Sequence, residues 1–198
     1  VMKENGAATQ TDNNKWYLIF GSGPHASVGS NTAMKGVSDQ NARVAVLPLD
    51  WLVKTPTALR IPATSPTPEN ASGTFMLDDS PNGFTSDLIT VDLDINPSSA
   101  SYYSDAVYFG TVEGNFAAKT VGTSTYTYWN GGGRAYRLIT RNQVVGDYLY
   151  GQGIAPTITT PDQWAMTTLI NVGQPVSAAP NVGYDGDNFW VYFGTGRF

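Results

Sequence analysis

Apolar and polar positions along the chain follow strand patterns, and helical periodicity is nearly absent. Stretches rich in Val, Ile, Tyr, Phe and Thr alternate with clusters of Gly, Pro, Asn, Asp and Ser, as in a turn-rich β protein. The pattern predicts strands over residues 16–20, 42–50, 58–63, 88–94, 106–109, 134–140, 164–170 and 175–185, with a last one in the closing stretch 189–198. Three segments read as long loops: the polar, proline-bearing residues 64–85, residues 116–132 and residues 144–161.

One phrase occurs three times. "KWYLIFGSGP" spans residues 15–24, "DAVYFGTVEGN" spans 105–115, and "FWVYFGTGRF" spans 189–198. Continuous apolar residues, without strict alternation, mark strands buried on both faces. The glycine after each Phe is expected to end its strand, because glycine takes backbone angles closed to other residues. Ser or Thr beside it can bond local backbone groups. Gly21, Gly110 and Gly194 lie 89 and 84 positions apart. Propeller blades repeat every ~40–50 residues, so the spacing fits either two blades or one long, decorated blade per repeat. About three further strands lie between copies, and a blade has four, which favours the single long blade. A sandwich would also give many short strands, but it does not require a repeated phrase.

The order of motifs narrows this further. "KWYLIFGSGP", "ARVAVLPLD", "ITVDLD…SDAVYFGTVEGN", "GGRAYRLIT" and "QPVSAAP…DNFWVYFGTGRF" follow one another along most of the chain. The set resembles the C-terminal propeller of the PilY family, the adhesins carried at the tip of type IV pili. The resemblance implies an all-β fold, a partial β-propeller of the quinoprotein-like type with long loop insertions. Roughly one complete four-stranded blade would stand between partial ones: a partial blade over 1–85, a full blade over 86–173 and the start of the next over 174–198. The chain is then a single region of a larger propeller. Its partners would be the remainder of that propeller, minor pilins or other surface proteins, and a host-surface or carbohydrate ligand. The location implied is extracellular, at the pilus tip of an exporting bacterium.

Composition agrees with that class. The 198 residues suffice for one domain with a core, and 41% hydrophobic with 14% charged residues is too apolar for disorder. A net charge of −5, with 11 scattered Lys and Arg, argues against nucleic acid or an anionic membrane surface. Cysteine is absent, which excludes disulfides and thiolate metal sites. No apolar run approaches the ~20 residues of a membrane span.

The richest chemistry lies in "DLDINPSSASYYSDAVYF". Asp92, Asp94 and Asn96 alternate, so their side chains share one side of an extended segment, and alternating oxygen ligands suit Ca²⁺. The resemblance adds Asp105, the residue just before "VYFG", as the closing ligand of a calcium-binding loop. The loop departs from the family pattern at Pro97 and in the inserted "SSASYYS". The alternative is a solvated loop with surface acids. Asp185, Asp187 and Asn188 precede the third copy, and Asp12, Asn13 and Asn14 the first. Both groups read as turns, because Asn and Asp bond their own backbone.

Enzyme readings find little support. The single histidine, His25, follows Gly-Ser-Gly-Pro, and no adjacent residue supplies the carboxylate and serine of a triad. "WNGGGRAYR" lacks the Lys-Ser/Thr of a phosphate loop. Paired carboxylates of a glycosidase stay open among 16 acids. Asn70 heads a formal glycosylation sequon, and Tyr102, Tyr103, Tyr126, Tyr128 and Trp129 are loop aromatics that suit sugars, protein partners or capping of their own sheet. The expectation is a non-catalytic adhesion and pilus-biogenesis module, calcium-regulated. The alternative is an enzyme domain on a quinoprotein-like or glycosidase-like propeller.

Overall fold

The computed structural model describes residues 2–3, 16–25, 38–49, 61, 63–66, 73–93, 104–140, 161 and 164–196. The fold is all-β. β1 (Met2–Lys3), β2 (Trp16–Gly21), β3 (Arg43–Pro48) and β4 (Gly73–Met76) form an antiparallel meander in that order. The second sheet holds β5 (Gly83–Thr85), β6 (Ile89–Val91), β7 (Ala106–Glu113), β10 (Arg134–Ile139) and β11 (Ala165–Asn171). Within it β6, β7, β10 and β11 again run as an antiparallel meander, and β5 pairs with the far half of β7. β8 (Asn115–Val121) and β9 (Ser124–Asn130) make a separate two-stranded ribbon, as do β12 (Asn181–Tyr184) and β13 (Phe189–Tyr192).

Several loops of the sequence reading contain strands. Residues 64–85 hold β4 and β5, and residues 116–132 hold the β8–β9 ribbon. The first sheet therefore has four strands, and the second begins at Gly83. The segments 58–60 and 144–160 lie outside the described residues.

Each copy of the phrase is the second strand of its meander: β2 follows β1, β7 follows β6, and β13 follows β12. Side chains alternate across a strand, so each copy has two faces. Tyr17 on β2 and Val46 on β3 pack on Val107, Leu138 and Trp164 of the second sheet. Beside them Val44 packs with Phe109 and Tyr136. The core is thus a sheet-on-sheet layer, bridged by an edge-on Tyr17–Trp164 pair, while Phe109 and Tyr136, neighbours on β7 and β10, stack within the second sheet; both pairs have centroids 5.3 Å apart. Burying each such large side chain contributes about 1.5–3 kcal/mol.

All eight residues of β7 are buried, so both of its faces are covered. The continuous apolar run of the second copy is explained by that position. β13 differs: Trp190 and Tyr192 are 50% and 59% exposed. One face of the third copy is open although its sequence is equally apolar.

Among the described residues no helix is long and apolar enough to cross a membrane.

Candidate functional site

In the first two copies the Phe-Gly-Ser or Phe-Gly-Thr of the phrase, at the end of β2 and within β7, builds a junction that joins three pieces of chain. Gly110 does not end its strand: it sits inside β7, and none of Gly21, Gly110 and Gly194 has left-handed backbone. What these positions require is closeness. A Cβ on Gly21 would lie 2.7 Å from Thr85 Cβ and 1.7 Å from its Oγ1, and one on Gly110 would lie 2.5 Å from Val176 Cβ and 2.2 Å from its Cγ1. Thr85 and Val176 belong to the segments that open the next sheet in each case.

The following residue completes the junction with its carbonyl and its hydroxyl. The Ser22 carbonyl accepts the Thr85 N–H at 2.9 Å, and the Thr111 carbonyl accepts the Val176 N–H at 2.9 Å. The Ser22 hydroxyl accepts the Arg43 N–H at 3.1 Å, and the Thr111 hydroxyl accepts the Arg134 N–H at 3.0 Å. Arg43 and Arg134 each open the third strand of their sheet. Glycine seats the next sheet, the carbonyl holds it, and the hydroxyl starts the third strand. The same three contacts are made twice, across loops of different length.

The third copy carries the same residues, Gly194 and Thr195. Among the described residues nothing lies within 4 Å of a Cβ built on Gly194. The Thr195 hydroxyl donates to Gln174 Oε1 at 3.0 Å. Asp185 organises the turn that presents this copy. Its carboxylate accepts the N–H groups of Asp187 and Asn188 at 2.9 and 2.8 Å and the Trp190 indole N–H at 2.6 Å. The indole, then the two backbone donors, hold the Asp185 carboxyl below the ordinary carboxylate range. The turn expected from Asp185, Asp187 and Asn188 is present, and it also fixes the exposed Trp190 ring.

A polar clasp, buried at Ser80 and Glu113 and exposed at Asp79 and Thr168, ties the turn before β5 to the second sheet. Glu113 Oε1 accepts the Ser80 and Thr111 hydroxyls at 2.9 and 2.6 Å, and Arg134 Nη1 donates to Oε2. Asp79 accepts the Tyr136 hydroxyl at 2.7 Å and the Thr168 hydroxyl at 2.8 Å. Burial alone would raise the Asp79 pKa; donated hydrogen bonds and the nearby Arg134 charge outweigh it and hold it below the usual value. Burial, then the bond to Asp79, pushes the Tyr136 phenol well above its usual value. Glu113 and Arg134 neutralise each other at 11% and 19% side-chain exposure. The chemistry is that of a fastening. Glu113 is enclosed by donors from the chain while Asp79 accepts its two hydroxyls at a half-exposed rim, and sequence inspection passed over the cluster because Asp79, Glu113, Arg134 and Thr168 meet only through the fold.

The four residues of the expected calcium loop are only half in view. Asp94 and Asn96 lie outside the described residues. Asp92 and Asp105 stand at the two ends of the β6–β7 connection, Asp105 buried at 5% exposure. Asp105 Oδ2 accepts the Leu93 N–H at 2.7 Å, and its backbone bonds Val91 and Thr140. Asp105 therefore closes this loop through the chain itself. The donor set, carboxylates and an amide oxygen, is the hard-oxygen kind that Ca²⁺ takes. Among the described residues no group of three metal-ligating side chains comes together.

His25 has a carboxylate partner that its sequence neighbours did not reveal: Asp39 Oδ1 lies 2.8 Å from Nδ1, across 14 positions. His25 lines a cavity of about 290 Å³ together with Ser22, Ser38, Gln40 and Asn41. The serines there are tied to backbone: Ser38 to Gln40 at 3.2 Å, and Ser22 to Arg43. The contact, with Asp39 N–H to the His25 carbonyl at 3.1 Å, pins the two ends of the β2–β3 connection.

Of the aromatics read as loop residues, Tyr126, Tyr128 and Trp129 lie on β9, with both tyrosines exposed. Tyr102, Tyr103 and Asn70 lie outside the described residues. No protein-family model, characterised protein or solved structure matches the chain.

Proposed function

We propose that the chain is a slice of a β-propeller and serves as a non-catalytic contact module at a bacterial cell surface, in the manner of PilY-type pilus-tip adhesins. The observation that carries this reading is the repeated junction. Two successive sheets are joined by the same glycine seat, the same carbonyl bond and the same hydroxyl bond, which is how a radial array of equivalent sheets propagates. The enclosed Glu113 carboxylate and the serines tied to backbone favour contact over turnover, because a general acid or base must be open to a substrate proton. Partners in this reading are the remaining sheets of the wheel and minor pilins, with host-surface glycans as ligand, and Ca²⁺ at Asp92, Asp94, Asn96 and Asp105 would stiffen the β6–β7 loop.

Biolayer interferometry of the purified chain against minor pilins and against host glycans, run beside glycosidase and quinone-dependent dehydrogenase assays, tests the proposal. Saturable binding without turnover is expected. Turnover of either substrate class, or no binding to any of these surfaces, overturns it.

A further inference from the structure

We infer that the cavity beside His25 is a seat for one neutral sugar ring, a hexose-sized polyol at the end of a glycan. The site deepens the glycan-contact reading above, on which it rests, and gives that ligand a place on the chain.

The two junctions differ at one position. Counted from the glycine of the phrase, Glu113 stands three residues after Gly110, and Pro24 three residues after Gly21. In the second junction the Thr111 hydroxyl accepts the Arg134 N–H and donates its own proton to Glu113 Oε1 at 2.6 Å. In the first, the Ser22 hydroxyl accepts the Arg43 N–H in the same way. Pro24 has no carboxylate to take the Ser22 proton, and among the described residues no other acceptor does. Where Glu113 closes the second junction, the first holds the cavity of about 290 Å³.

That volume sits at the ~300 Å³ lower end of small-molecule sites, room for a single ring. The groups around it are polar and uncommitted. The Gln40 and Asn41 carboxamides line it and take part in no hydrogen bond among the described residues. His25 lines it with Nδ1 held 2.8 Å from Asp39 Oδ1, which leaves Nε2 to a ligand. A carboxamide sets N–H donors beside a C=O acceptor, the match for hydroxyls, which donate and accept in turn. Pro24 supplies an apolar side chain, enough for the C–H groups of one ring and too little for a lipid. No Lys, Arg, Asp or Glu stands among the described lining residues, and a protonated His25 is already balanced by Asp39. An anionic ligand would lack a counter-charge here, so the ring is uncharged.

Calorimetry and saturation-transfer NMR of the intact chain with methyl glycosides of glucose, galactose, mannose and N-acetylglucosamine test the site, with glucuronate and inorganic phosphate as charged controls. Saturable binding of at least one neutral glycoside is expected, with a Kd of about 1 mM. Gln40→Ala is expected to weaken it about fivefold to tenfold. Pro24→Glu installs the carboxylate that the second junction carries, and is expected to abolish binding without lowering stability to urea. No saturable binding of any of the four glycosides, unchanged binding in either folded variant, or glucuronate or phosphate binding as tightly as the best glycoside would each overturn the inference. Should Pro24→Glu fail to fold, Gln40→Ala decides alone. Host glycans captured at full strength after Pro24→Glu sink this seat and leave the contact-module reading standing; loss of glycan and pilin binding in the parent chain sinks that reading itself.

Discussion

Alanine at the three equivalent glycines should give three different answers to one substitution. At Gly110 the new Cβ would sit 2.5 Å from Val176 Cβ, 2.2 Å from its Cγ1 and 2.7 Å from its carbonyl oxygen. Carbon atoms rest at roughly 3.5–4 Å, so the Val176 segment must retreat by about 1 Å. Overpacking of that kind costs about 1–3 kcal/mol. The retreat also stretches the 2.9 Å bond from Val176 N–H to Thr111, about 1 kcal/mol more. Restricting the unfolded chain returns about 0.4–1 kcal/mol. The net expectation is a loss of about 1.5–3 kcal/mol. Gly21→Ala should fall in the same direction but cost less, because the nearest atom, Thr85 Oγ1, can rotate away. Gly194→Ala meets nothing within 4 Å among the described residues and should be neutral or stabilising by up to about 1 kcal/mol. Urea unfolding at constant m value, followed by far-UV circular dichroism, reads all three. Equal effects at the three sites, within about 0.5 kcal/mol, would refute the reasoning, since helix or strand propensity alone would treat them alike.

Further outcomes follow from the clasp and the calcium loop. Glu113→Ala takes the acceptor from the buried Ser80 hydroxyl and leaves the Arg134 guanidinium only its 3.6 Å pairing with the half-exposed Asp79, and is expected to cost about 1–3 kcal/mol by urea unfolding. Asp79 has a lowered folded pKa, so its contribution is present above the unfolded value of about 4 and is lost as pH falls through the lower folded value. Asp79→Asn should flatten the acid limb of a stability–pH curve. Tyr136 has a raised folded pKa, so its contribution holds below about pH 10 and is lost as pH rises toward the folded value; Tyr136→Phe should flatten the alkaline limb. Calcium titration by calorimetry should give heat at millimolar Ca²⁺ that Asp92→Asn with Asp94→Asn abolishes, and a silent titration of the parent chain would remove Ca²⁺ from the proposal.

Particular residues explain what was legible in advance. The three aromatic phrases announce themselves as continuous apolar runs, which made the strands over 16–20, 106–109 and 134–140 recognisable, although only β7 is covered on both faces and Trp16, Phe20, Trp190 and Tyr192 stay exposed. β8 and β9 were not, because both of their faces meet solvent and the apolar run is missing. The available signals were Thr and Tyr enrichment in "STYTYWN" and Gly122 with φ of 63° at the first place of a two-residue turn, where a hairpin of one type needs glycine. β4 and β5 are four and three residues long between proline and acidic turns, too short to show a period. The glycine of the phrase was noticed; it closes β2 at Gly21 as expected but lies inside β7 at Gly110. Its conformational freedom is unused; its missing side chain is what the next sheet requires, and that demand is set by Thr85 and Val176, far along the chain. The pairing of His25 with Asp39, and of Glu113 with Arg134, is spatial and has no local signature.

The β8–β9 ribbon leaves the second sheet at Gly114 and returns at Gly131, and among the described residues its strands pair with each other. The Glu113 and Gly132 backbones bond each other across its base in both directions, at 2.9 and 3.1 Å, so the stem is sealed before the ribbon begins. What lies beyond that seal can be lengthened, exchanged for another hairpin or cut away while the scaffold keeps its shape. Such a graft point lets a lineage vary what it displays to its surroundings at small cost to folding, and it is where an engineer should splice a foreign epitope.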